Sequence, residues 1–145
     1  MRLVAISIIL ALAVAAVAVG WVSTAPATAD VPNPVATTTA KVLPVRSAAE
    51  LDALLARVQG DVVLDFSATW CGPCRRLAPQ LEAFANAHPA ATVVVIDVDE
   101  VADLAQRYAI EALPTLVHVR GGKEMKRTGG FRDAPAIAAW LAAGN

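Results

Sequence analysis

The chain contains only two cysteines, spaced as Cys71-Gly72-Pro73-Cys74, and they follow closely on the short apolar run Val62-Val63-Leu64-Asp65-Phe66. That run has the length and β-branched content of a strand buried on both faces of a mixed or parallel sheet. A fold that accepts it must cover both faces of a sheet and present the two thiols near the strand's exit. The pair is a poor structural staple, because a disulfide that encloses so short a loop removes little entropy from the unfolded chain. Structural zinc would need about four ligands. The other soft candidates, His88 and His118, lie far apart and lack paired metal-ligand spacing. Redox chemistry is the reading that the Cys-x-x-Cys spacing favours in a βαβ context. No metal and no cofactor are expected, and without a nucleotide-binding loop the electrons must come from an external reductant.

Composition bounds the rest. A length of 145 residues allows one ordinary domain. A formal net charge of -1 leaves no basic excess to hold a nucleic acid. The hydrophobic content of 57% is high because much of it sits in residues 1–22, where an apolar run from Leu3 to Val19 carries Arg2 as the only charge. Such a run reads as an export signal or a membrane anchor, with Arg2 holding its end in the cytoplasm and the rest of the chain sent across the membrane. Ala27-Thr28-Ala29 before Asp30 has the small-x-small form of a signal-peptidase site, yet the run approaches the length of a span, so cleaved signal and retained anchor both stay open. Residues 23–40 are rich in Ala, Thr and Pro and read as an extended tether. The folded domain is expected over residues 41–145, in an extracytoplasmic compartment such as a periplasm.

Within that domain, Val42 to Arg46 reads as a first strand. Ser47 caps a helix with Glu50 completing a capping box, Leu51, Leu54, Leu55 and Val58 form its apolar stripe, and Gly60 is expected to end it. After the cysteines comes a long helix with Leu77, Leu81 and Phe84 on its inner face and a kink at Pro79. Val93 to Val98 is a buried strand, Val101 to Tyr108 a helix, and Thr115 to Val119 a strand. Gly121-Gly122 turns the chain into Lys123 to Thr128, and Ala134 to Ala143 closes it as a helix. The order βαβαβαββα predicts an α/β fold with a central mixed sheet flanked by helices on both faces.

Elementary chemistry assigns roles. Cys71 at a helix N-terminus meets free backbone N–H groups and the positive end of the helix dipole, which favour its thiolate and make it the attacking sulfur. Cys74, one turn inside, is expected to be more shielded and to resolve the mixed disulfide. Asp65 lies inside an apolar run, so its pKa should be raised; it reads as a general acid or base for Cys74, or as a structural aspartate. Trp70 is either a substrate contact or a lid. Pro73 keeps the loop rigid. His88 and His118 read as structural or solvent-facing, and Arg75 and Arg76 as a solvated helix face.

These residues together resemble the thioredoxin family. The stretch from Val63 through Trp70-Cys71-Gly72-Pro73-Cys74 is similar to its active-site strand and loop, Leu113-Pro114-Thr115 to its cis-proline loop, Pro79 to its helix-kink proline and Gly130 to the glycine before its last helix. The resemblance implies a thioredoxin fold and a cis Leu113–Pro114 bond that exposes the Leu113 backbone to an extended substrate. It also implies substrate binding at Trp70, Gly72, Pro73, Leu113, Pro114, Thr115 and Gly130. Val95 departs from the family where many members carry a lysine facing the buried aspartate, and Leu113 replaces the more frequent Ile, Val or Thr. The function implied is protein-disulfide reduction on exported proteins by a monomer, recharged by a thioredoxin reductase or a membrane thiol transporter. The alternatives are a disulfide oxidase or isomerase, or a scaffold subunit without turnover. Gly72-Pro73 adds no charge that would stabilise the Cys71 thiolate, which favours the reducing direction.

Overall fold

The computed structural model describes residues 42–143; the leader at 1–22 and the tether at 23–40 lie outside the described residues. The elements are β1 (Val42–Val45), α1 (Ala48–Arg57), β2 (Asp61–Ser67), α2 (Gly72–Ala87), β3 (Thr92–Asp97), α3 (Ala102–Arg107), β4 (Thr115–Arg120), β5 (Lys123–Gly129) and α4 (Ala134–Ala142). Their order is the one the apolar pattern predicts. The sheet runs β1-β3-β2-β4-β5, with β1, β3 and β2 parallel and β4 and β5 antiparallel to their neighbours. Among the described helices none is long and apolar enough to cross a membrane.

Alternation along the central strands splits the core into two layers. Leu64 and Phe66 of β2 and Val94 and Ile96 of β3 pack with Leu51 and Leu54 of α1 and Leu104 of α3. On the opposite face, Val63, Val93 and Leu116 pack with Leu77, Leu81 and Phe84 of α2 and Ile137 of α4. Strand β2 is hydrogen-bonded along both edges, to β3 and β4, and buried from Val62 to Phe66. This accounts for its lack of polar alternation.

Local chemistry sets most of the boundaries. The Ser47 side chain accepts from the Glu50 amide, while the Glu50 carboxylate accepts from the Arg46 amide, one residue ahead of the usual capping-box partner. Helix α2 runs unbroken through Pro79. Gly121 and Gly122 have φ of +57° and +74°, the left-handed pair that a tight hairpin between β4 and β5 demands. Gly60 does not end α1, which stops at Arg57 with an extended Val58 as cap. What glycine does there is admit the carbonyl oxygen of Ala90, 3.1 Å from where a Cβ would stand.

The helix that carries both cysteines is seated by Leu77, Leu81 and Phe84, all essentially inaccessible to water. Leu77→Ala is expected to cost about 2–5 kcal/mol of stability, as truncation of a fully buried leucine does. Denaturant titration checks this through a lower midpoint at unchanged slope.

Candidate active site

The exit of β2 carries Ala68, Thr69 and Trp70 to the start of α2, where Cys71 is the N-cap residue. Cys71 and Cys74 form a disulfide with a Cα–Cα separation of 5.3 Å. The Cys74 amide donates to Cys71 Sγ at 3.2 Å, and the Cys71 carbonyl accepts from the Arg75 amide. A sulfur held here faces helix N–H donors, the environment that stabilises a thiolate. Both cysteines are 4% exposed, so the greater shielding expected of Cys74 is not found. In the oxidised pair the bond draws both sulfurs under the same cover of Ala68, Val98 and Leu113. What separates the two is position: only Cys71 caps the helix and borders the open groove.

That groove, of about 400 Å³, is lined by Trp70, Cys71, Gly72, Pro73, Val98, Ala105, Ile110, Glu111, Ala112 and Leu113. Cys74 does not line it. Trp70 is 67% exposed, and its indole N–H donates to Asp99 Oδ2 at 2.8 Å, so it forms a fixed wall of the groove rather than a cover over the disulfide. Leu113–Pro114 is cis. The Thr115 hydroxyl donates to the Ala112 carbonyl at 2.7 Å, and the Gly130 amide donates to the Pro114 carbonyl at 2.9 Å, with Gly130 at φ +80°. No backbone hydrogen bond among the described residues engages the Leu113 amide or carbonyl. The sequence-predicted residues Trp70, Gly72, Pro73 and Leu113 therefore meet at one groove, with Pro114, Thr115 and Gly130 bracing its far wall.

Asp65 lies two residues beyond Val63 on β2 and so faces the α2 side of the sheet. Its in-register neighbours are Val95 on β3 and Leu116 on β4, neither of them charged. The residue is 2% exposed and its Oδ1 has no hydrogen-bond partner. Burial alone pushes the carboxyl pKa up to about 7. A carboxyl so poised takes up and releases a proton near neutrality.

Asp99, Asp61 and Arg120 escaped the sequence reading. Asp99 anchors Trp70 from the loop after β3. The acidic run Asp97-Val98-Asp99-Glu100, at the carboxyl end of a parallel strand, was the available signal. His118 is buried, and its Nε2 lies 2.6 Å from Asp61 Oδ1, which also accepts from Arg120 Nε at 2.7 Å. This cluster sits at the entry of β2, the opposite end from the disulfide. His88 is exposed and stacks on Phe84. Arg75 donates to the Thr69 carbonyl, and Arg76 lies over the Phe131 ring.

A family model described as Thioredoxin matches residues 42–143. Thioredoxin-2 of Saccharomyces cerevisiae is 45% identical over 93 residues, spanning 64% of this chain and 89% of its own length. A thioredoxin of Echinococcus granulosus is 45% identical over 85 residues, spanning 57% and 79% respectively. Among solved structures, the thioredoxin of Fasciola hepatica superposes with a TM-score of 0.67 at 32% identity, covering 72% of this chain and 100% of that one.

The raised Asp65 pKa has a thermodynamic sign. Between the ordinary value of 3.8 and about 7 the folded state holds a proton that the unfolded state has lost, so the stability this proton gives is complete below the lower value and lost as pH rises through the upper one. Asp65→Asn removes that titration. Relative to wild type the variant should gain stability, of order a few kcal/mol, between about pH 4 and pH 8. Unfolding titrations at both ends check it, and parallel pH profiles for the two proteins would refute it.

Proposed function

Since the chain belongs to the thioredoxin family over residues 42–143 and is a protein-disulfide reductase, we propose that Cys71 and Cys74 are its working pair and that its substrates are exported proteins. The observation that carries this reading is the Cys71–Cys74 disulfide at the N-cap of α2, with Cys71 alone of the two on an open groove.

In the reduced protein, the Cys71 thiolate attacks one sulfur of a substrate disulfide, forming a mixed disulfide and releasing the other substrate sulfur as a thiolate. Asp65, in its carboxylate form, accepts the Cys74 thiol proton. The Cys74 thiolate then attacks Cys71 Sγ, the bond to substrate breaks, and the second substrate sulfur leaves and is protonated. The protein is left with the Cys71–Cys74 disulfide, which an external dithiol donor reduces: a thioredoxin reductase, or a membrane thiol transporter if the domain works outside the cytoplasm. The free Leu113 backbone offers main-chain hydrogen bonds to an extended substrate segment beside Cys71, a mode that accepts many sequences. Trp70, Gly72, Pro73, Pro114, Thr115 and Gly130 shape that seat. The uncharged Gly72-Pro73 supports the reducing direction.

Export rests on the sequence before the domain. Residues 1–22 act as a signal or an anchor and 23–40 as a tether, placing a monomeric domain at 41–145 in an extracytoplasmic compartment.

Two outcomes test these assignments. Cys74→Ser should accumulate mixed disulfides with exported proteins while Cys71→Ser traps almost none; equal trapping on non-reducing gels would reverse the order of the two sulfurs. Mass spectrometry of the native protein should find a chain starting at Asp30, or an intact chain in the membrane fraction. A soluble cytoplasmic chain beginning at Met1 would sink both forms of export.

A further inference from the structure

We infer that Phe131 and Arg76 form a specificity-determining flank of the site, favouring protein disulfides that carry an acidic residue beside an apolar one next to the attacked cysteine. The inference rests on the redox reading above and adds which substrates that chemistry reaches best.

Phe131 is 47% exposed, yet its segment is fastened at every step. The preceding Gly130 donates to the Pro114 carbonyl. Arg132 donates to the Thr128 hydroxyl, the Ala134 amide donates to Gln80 Oε1 on α2, and Asp133 caps α4 by accepting from the Ala136 amide. An aromatic ring exposed on so constrained a loop loses little further freedom when a partner covers it. The Arg76 guanidinium lies over its face, 5.6 Å from the ring centroid. Phe131 is thereby tied to both elements that carry the site: to α2 through Arg76, two residues after Cys74, and to the Leu113-Pro114 loop through Gly130.

Charge gives this flank a sign. Arg76 and Arg132 lie at this loop, and their contacts are the Phe131 ring and the Thr128 hydroxyl, while Arg75, next to Arg76 on α2, donates to the Thr69 carbonyl; none of these partners is an anion. Among the described residues no carboxylate forms an ion pair with any of the three. The groove on the Trp70 side is bordered instead by Asp99 and Glu111. A substrate segment crossing the disulfide thus meets cations over an aromatic ring on one flank and carboxylates on the other. An apolar side chain next to an acidic one suits the first flank, and a basic side chain there meets repulsion.

The test uses the full-length chain, reduced beforehand and freed of reductant. It is mixed with either of two peptide disulfides that differ only in a Glu or Lys beside the apolar residue flanking the cysteine. Acid-quenched samples give the second-order rate constant for each peptide, and hydroxyethyl disulfide serves as a neutral small substrate. Wild type should reduce the Glu peptide about threefold faster than the Lys peptide, the scale of one exposed charge pair, with the ratio shrinking as salt rises. Arg76→Glu should invert the ratio, and Phe131→Ala should slow both peptides by a similar factor. Equal rates for the two peptides, a ratio untouched by Arg76→Glu, or peptide rates unaltered by Phe131→Ala would overturn the inference while the redox reading stands. Failure of wild type to reduce even hydroxyethyl disulfide would overturn the redox reading and this inference with it.

Discussion

Strand β2 has hydrogen-bonded neighbours on both edges and helices on both faces, so nothing along its middle reaches water. Two consequences follow from that enclosure. The strand's exit is rigidly placed, and the loop that leaves it delivers Cys71 to the first turn of α2 rather than to a mobile surface segment. The strand's interior, where Asp65 sits, is a low-dielectric medium in which a carboxylate finds no compensating partner. The helix that presents the sulfurs is pressed onto the same face by Leu77, Leu81 and Phe84. One packing layer therefore sets both the helix-end field on Cys71 and the desolvation of Asp65.

That layer carries an internal tension. A buried carboxyl with an unpartnered oxygen opposes folding at neutral pH, and a hydrophobic residue in its place would fit the layer better. The domain tolerates it because the remaining core is continuous across both faces of the sheet. Val95, its in-register neighbour on β3, offers no cation, so desolvation acts on Asp65 unopposed. Such groups concentrate at sites that move protons, where stability gives way to a pKa near the working pH.

Much of this architecture was legible in the sequence because its signals are local. Ser47 and Glu50 declare a helix start, Gly121-Gly122 a hairpin, and Leu77, Leu81 and Phe84 the face of a helix. The apolar run around Asp65 marks both a doubly covered strand and the group whose pKa must rise. Gly60 misled, because its role is to admit Ala90 from another part of the chain and not to terminate the helix before it. The Trp70–Asp99 bond spans 29 residues, the Asp61–His118 contact 57, and the Arg76–Phe131 contact joins α2 to the loop before α4. No periodicity encodes such pairs; they exist only once the sheet order brings separate loops together. The cis Leu113–Pro114 bond was legible through resemblance alone, since X–Pro bonds are cis in only about 5–6% of folded cases.

That environment rather than residue type sets ionisation is clearest in the contrast between two aspartates of β2. Burial raises the pKa of Asp61 too, but hydrogen bonds from His118 and Arg120 outweigh it and hold the carboxyl below its ordinary value. Four residues along the same strand, Asp65 has no such donors and moves the other way, to about 7. The first is a fixed anion that joins β2 to β4 at the strand's entry. The second is free to exchange a proton, and it lies toward the end of the strand from which the chain runs to the disulfide. A single strand thus holds one carboxylate fixed as an anion and one whose pKa is raised to about 7. What distinguishes them is whether the neighbouring strand offers His118 and Arg120 or only Leu116.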